Sequence, residues 1–174
     1  MKLNFRNAAV FSVLLVMSFG GPPLRAQEMR PAKTEAQAIQ VMMIRADKIT
    51  LPAAFQVSLY ENLINQLQKK GAFQHVYRDG DRSAATAPDL IALQCTVQDF
   101  KEGSERMRQA TTIAGATSIT LRCQFRDKGG NSLLEREITG KVRFFGGNLK
   151  ATYDFAKKAA NVAGEYFSPA AGRS

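Results

Sequence analysis

Few residues of this chain belong to types that do chemistry on their own. His75 is the single histidine. A metal centre draws on three or four ligands, and no Cys or Asp pattern gathers around it. Asp79 and Asp81, in "RDGDRS", lack the spaced oxygen ligands of a calcium loop. No Gly-x-Ser-x-Gly elbow is present. Cys95 and Cys123 have no histidine partner in sequence that would activate a thiolate. The richest stretch is "FKEGSERMRQATTIAGATS", Phe100 to Ser118, which holds Lys101, Gly103, Arg106, Arg108 and Gly115. A phosphate-cradling loop needs Gly-Lys-Ser/Thr at a helix start, and neither glycine is followed by lysine. The stretch reads first as the tip of a long hairpin. A contact loop, and an anion site held by Lys101, Arg106 and Arg108 side chains, are the alternatives. No catalytic residue, metal ligand or cofactor site is assigned.

The elements around this loop are legible. "DLIALQCTVQDF" alternates Ile91, Leu93, Cys95 and Val97 with polar residues. "SITLRCQFRD" alternates Ile119, Leu121, Cys123 and Phe125 with Thr120, Arg122, Gln124 and Arg126. "SLLEREITGKVRFF" follows the "DKGGN" turn with Leu134, Ile138, Val142 and Phe144 on one face. Period-two alternation predicts three strands, each with an apolar and a polar face. Arg136 and Gly140 interrupt the apolar side of the third. If the hairpin centres near Gln109, Cys95 faces Cys123. A cross-strand disulfide and two buried thiols both remain open.

Upstream, "AIQVMMIRA" (38–46) predicts a buried strand and "AFQHVYR" a short one. Between them Phe55, Leu59, Leu63 and Leu67 recur every four residues, the stripe of an amphipathic helix from Ala53 to Lys70. Pro52 precedes it, and Lys69, Lys70 and Gly71 suit its end. A last helix is expected after Asn148 as cap, with Leu149, Tyr153, Ala156, Ala160, Ala163 and Phe167 as its apolar stripe. The order β-α-β, three-strand meander, α predicts an α+β fold. It has two layers, a mostly antiparallel sheet and two helices packed on one face. The polar sheet face, with Arg122, Arg126, Lys141 and Arg143, is the candidate contact surface.

The ends and the charge give an address. Lys2 and Arg6, an apolar run of about a dozen residues and the small residue Ala26 predict a cleavable export signal over 1–26. A flexible lead-in (27–37), one domain (38–168) and a tail (169–174) follow. Nothing after the signal is long and apolar enough to cross a membrane. Net charge is +9, falling to about +6 once Lys2, Arg6 and Arg25 leave with the signal. That balance suits an anionic envelope surface. Nucleic acid is excluded as a partner, because the cations are scattered and not interleaved with aromatics.

The block from Asp89 to Val142 resembles domain-of-unknown-function family 4410, bacterial exported proteins that are often lipoproteins. The likeness lies in Phe100 and Gly103 after a strand, then Arg106 or Arg108. Small Ala114, Gly115 and Ala116 come next, then Asp127, Gly129 and Gly130 before the next strand, and an Ala-rich terminal helix. It extends over roughly residues 37–167. Many relatives carry a lipid-bearing cysteine at the signal cut, and this chain does not. The resemblance implies an envelope protein similar in architecture to small α/β domains of outer-membrane lipoproteins that act as assembly parts or as activators of cell-wall synthases. The chain therefore reads as an exported, non-catalytic interaction or assembly module. Its partner would be an envelope protein or an anionic envelope surface. The alternative is a periplasmic small-ligand or anionic-lipid binder. Replacing Arg106 and Arg108 is expected to weaken partner capture and leave thermal stability unchanged.

Overall fold

A computed structural model describes residues 34–110, 115–143 and 146–168. The expected export signal, most of the lead-in and the tail lie outside the described residues. Strand β1 (Thr34–Glu35) is followed by β2 (Ala38–Val41), helix α1 (Ala53–Lys70) and β3 (His75–Arg78). Then come a 3-10 turn (Arg82–Thr86), β4 (Leu90–Lys101) and a short helix α2 (Glu105–Ala110). Strands β5 (Thr117–Arg126) and β6 (Ser132–Val142), helix α3 (Lys150–Tyr166) and β7 (Phe167–Ser168) complete the order.

Five strands form one sheet in the order β3-β2-β4-β5-β6. The sheet is mixed and, as expected, mostly antiparallel, its longest pairings being β4 with β5 and β5 with β6; the parallel pairs lie at its β2 side. β2 pairs in parallel with both β3 and β4, while β4, β5 and β6 are antiparallel. The reason is the α1 crossover. A strand, a helix and a second strand laid beside the first must run in parallel. β1 and β7 pair separately, Thr34 with Phe167 and Glu35 with Ser168. The last residues of the expected lead-in are thus built into the fold, and Ala36 beside them is fully buried.

Helices α1 and α3 cover the apolar face. α1 buries Phe55, Leu59, Leu63 and Leu67 and stops at Gly71, which takes a left-handed φ of 63°. Each such side chain contributes about 1.5–3 kcal/mol when fully withdrawn from water. α3 lies close to the sheet because its buried side is small: Ala151, Ala156, Ala159, Ala160 and Ala163 surround Phe155. Gly140 of β6 marks the closest approach. A Cβ there would stand 2.1 Å from the Ala151 carbonyl oxygen. One of the two interruptions of β6 is therefore a packing requirement. The other, Arg136, donates to the Tyr166 hydroxyl and lies over its ring at 5.1 Å.

Two expectations for α3 are corrected. Leu149 and Tyr153 stand at the surface, 41% and 47% exposed, outside the core stripe. Asn148 does not cap the helix; Leu149 occupies that position and makes no side-chain cap bond. A register shift between Val97 and Asp99 makes Gln98 the extra residue of β4. Without it, strict alternation would turn Phe100 to the polar face. With it, Phe100 pairs with Ile119 and meets the Phe55 ring at 4.8 Å.

Candidate interaction site

Cys95 and Cys123 are direct cross-strand partners and are joined by a disulfide on the core side of the sheet. Their sequence separation of 28 corresponds to about 3.5 kcal/mol of stabilisation through the unfolded chain. The bond fixes the register of the hairpin that carries the Phe100–Ser118 loop.

That loop is not a bare tip. α2 forms inside it, and Arg108, at the end of α2, is buried. Its guanidinium donates to the Gly115 carbonyl at 2.5 Å and to Thr117 Oγ1 at 3.3 Å. It also donates to the Gly146 carbonyl at 2.9 Å and to Asn148 Oδ1 at 2.8 Å. Thr117, fully buried, donates to Asn148 Oδ1 at 2.9 Å and accepts from the Gly103 amide at 3.0 Å. Asn148 closes the set by donating to the Gly103 carbonyl at 3.1 Å. The planar fork of an arginine satisfies several acceptors at once, which a point-charge lysine cannot do. Arg108 is therefore a structural pin, which corrects its assignment as a contact residue. Asn148 serves this network, and that is why it is absent from the helix cap.

Gly103 and Gly115 explain how the two arms of the loop come together. A Cβ on Gly103 would stand 2.1 Å from the Gly115 carbonyl oxygen, and one on Gly115 would stand 2.4 Å from that of Ser104. Gly115 also has a φ of 87°. At both positions the absence of a side chain is what permits this backbone approach. Arg106 points outward and is exposed.

The remaining candidates sit on the polar sheet face in two groups. Lys101 pairs with Ser118, and Ser118 with Lys141, so the two lysines flank one serine across three strands. With Gly103, Gly115 and Arg143 they line a groove of about 660 Å³. Lys141 and Arg143 also line an adjoining groove of about 760 Å³, together with Leu149, Lys150 and Tyr153. Arg122 and Arg126 stand further along the face in a polar ladder. Arg122 approaches Glu135 at 3.5 Å, Gln124 donates to Glu135 at 2.6 Å and Arg126 to Gln124 at 2.7 Å.

His75, Asp79 and Asp81 have local structural partners. His75 is exposed and stacks on Tyr77 at 6.0 Å. Asp79 accepts from the Met43 amide at 2.9 Å, and Asp81 from the Ser83 amide at 2.9 Å. Among the described residues, no group of three or more His, Cys, Asp and Glu is placed to hold a metal ion. No described helix is long and apolar enough to cross a membrane.

The Arg108 network was missed from sequence. Its members lie far apart in the chain and obey no period; the signal was a polar Arg, Thr and Asn set among glycines.

A scan of protein-family models finds no match, and a search of curated proteins finds none either. Solved structures do share the architecture. The PelC dodecamer from Paraburkholderia phytofirmans is 15% identical, with a TM-score of 0.56 over 79% of this chain and 92% of that one. A hypothetical protein of Chlamydia trachomatis is 10% identical, with a TM-score of 0.49 over 75% of this chain and 98% of that one. A Xanthomonas campestris protein of the DUF330 family is 13% identical, with a TM-score of 0.47 over 78% of this chain and 84% of that one. The likeness to PelC is one of fold.

Proposed function

We propose that this chain is a non-catalytic interaction or assembly module of the bacterial cell envelope, and that it binds a protein partner through its open sheet face. One observation carries the reading. The helices cover one face of the sheet, while the other presents an ordered ladder of Arg122, Gln124, Arg126 and Glu135. Side chains held in place by their neighbours lose little freedom on docking, which favours specific recognition. The charged residues alternate in sign across strands β5 and β6, so a partner must match a pattern and not merely a net charge. The basic charge balance and the expected export signal support the envelope setting. PelC, which has this fold, is a dodecamer, and a second copy of the chain is accordingly the first partner proposed.

Sedimentation velocity tests the self-assembly reading. The parent chain should sediment as a species larger than the monomer. Arg122→Glu with Arg126→Glu should return it to the monomer with an unchanged melting temperature. A parent that stays monomeric at every concentration rejects a second copy as the partner.

A further inference from the structure

Six large hydrophobic side chains are exposed among the described residues, and three of them gather at one end of the molecule. Met107 lines the groove of Lys101, and Leu149 and Tyr153 line the adjoining groove; Lys141 and Arg143 belong to both. Their exposures are 51%, 41% and 47%. These values matter because Leu149 and Tyr153 continue the apolar periodicity of α3 and would be expected inside. The fold instead turns them out, next to four cations, Lys101, Lys141, Arg143 and Lys150, and two carboxylates, Glu102 and Asp154, the second of which is paired with Lys158.

We infer that this end of the molecule is a membrane-docking surface for anionic phospholipid headgroups, with Leu149 and Tyr153 entering the interface. The occupant follows from the composition of the patch. Lysine and arginine near a bilayer gain about 1 kcal/mol each from an anionic leaflet. Tyrosine favours the membrane–water interface, where its amphipathic ring sits at the headgroup level. Leucine beside a basic groove adds the apolar burial that makes such attachment stable. A protein partner would leave the apolar and basic parts to be matched separately, whereas a lipid surface meets both at once. Arg108 is part of the device, because it pins the loop that carries Lys101 and Met107 to the Gly146–Asn148 turn ahead of Leu149. The patch contains neither Arg122 nor Arg126, so the inference does not rest on the proposed sheet-face contact.

The chain has no tryptophan, so a single introduced indole reports one position alone. Tyr153→Trp is mixed with vesicles of equal parts phosphatidylcholine and phosphatidylglycerol, and emission and quenching by brominated lipid are recorded. The indole should shift to the blue and be quenched. The same reporter at exposed Val57, which lines neither groove, should remain in water. Lys141→Glu with Arg143→Glu should lower partitioning at position 153 at least about tenfold. The same charge change at Lys128 and Lys157 should lower it much less. The melting temperature of each variant shows that it is folded. The inference is overturned by an indole at 153 that stays in water, by equal shifts at 57 and 153, by equal binding to pure phosphatidylcholine, or by equal losses from the two charge pairs.

Discussion

Arg108 and Asn148 lie 40 positions apart, yet the guanidinium donates to the Asn148 side-chain oxygen at 2.8 Å. This bond joins the β4–β5 loop to the turn before α3. Both grooves depend on it, since Lys101 and Met107 lie on one side of it and Leu149 and Tyr153 on the other.

Removal of Arg108 should therefore act on the fold. Arg108→Ala strips partners from the Gly115 and Gly146 carbonyls, and a buried acceptor left unpaired costs about 1–3 kcal/mol. We expect a loss of roughly 2–4 kcal/mol in urea unfolding. Arg108→Lys should recover less than half of it, because an ammonium lacks the fork. Arg106→Ala should change stability by less than about 0.5 kcal/mol. Equal effects at 106 and 108 would refute the pin.

Gly140 supports α3 by having no side chain. Gly140→Ala places a Cβ 2.1 Å from the Ala151 carbonyl oxygen and 2.6 Å from Phe155 Cβ. Overpacking of this kind costs about 1–3 kcal/mol, and more where backbone must shift. Gly147→Ala, where nothing lies within 4 Å, should be close to neutral. Thermal unfolding of the two variants side by side decides the matter.

The β5–β6 turn carries the clearest pH dependence. Asp127 accepts from the side chain of Asn131 and then from its backbone, with further help from the Gly129 and Gly130 amides. Together these hold its carboxyl below the usual value. Glu61 is likewise lowered, by the two hydrogen bonds from Arg78 at 2.6 and 2.7 Å. A depressed folded-state pKa contributes stability that is present above the unfolded value and lost as pH falls through the folded value. Carboxyl chemical shifts in a pH titration should give midpoints for both groups below those of exposed carboxylates in unfolded peptides. Asp127→Asn should flatten the acid limb of stability, and an unchanged limb would count against the turn.

The free edge of the sheet is guarded. β6 is an edge strand of 11 residues, long enough to template another strand. Its Lys141 amide donates to Asp154 at 2.9 Å, its Thr139 carbonyl accepts from Lys158 at 2.9 Å, and the two side chains pair at 2.7 Å. Asp154→Ala with Lys158→Ala should bare the edge. Sedimentation should then show a concentration-dependent species absent from the parent, and its absence would remove the guarding role.

Much of this architecture was written in local patterns. The alternation of Ile91 to Val97 and of Ile119 to Phe125 specified both faces and put Cys95 and Cys123 on the same one; their register and bond came from the structure. The four-residue spacing from Phe55 to Leu67, closed by Gly71, specified α1. What stayed hidden depends on contacts between distant segments. Thr34 and Glu35 become a strand only because Phe167 and Ser168 arrive beside them. Gln98 is a bulge only because Phe100 must reach Phe55. Arg108 reads as a surface cation until Gly115, Thr117, Gly146 and Asn148 close around it. Tyr153 keeps the apolar period of α3, and no rule of period says that it stands at the surface.

The proposed contact surface is the polar face around Gln124, and its proposed occupant is a protein. A photo-crosslinking amino acid at Gln124 in producing bacterial cells tests it most directly, with the same group at exposed Lys157 on α3 as control. One discrete adduct is expected from position 124, reduced by Arg122→Glu with Arg126→Glu, and none from 157. No adduct at 124, or the same adducts at both positions, would contradict the proposal.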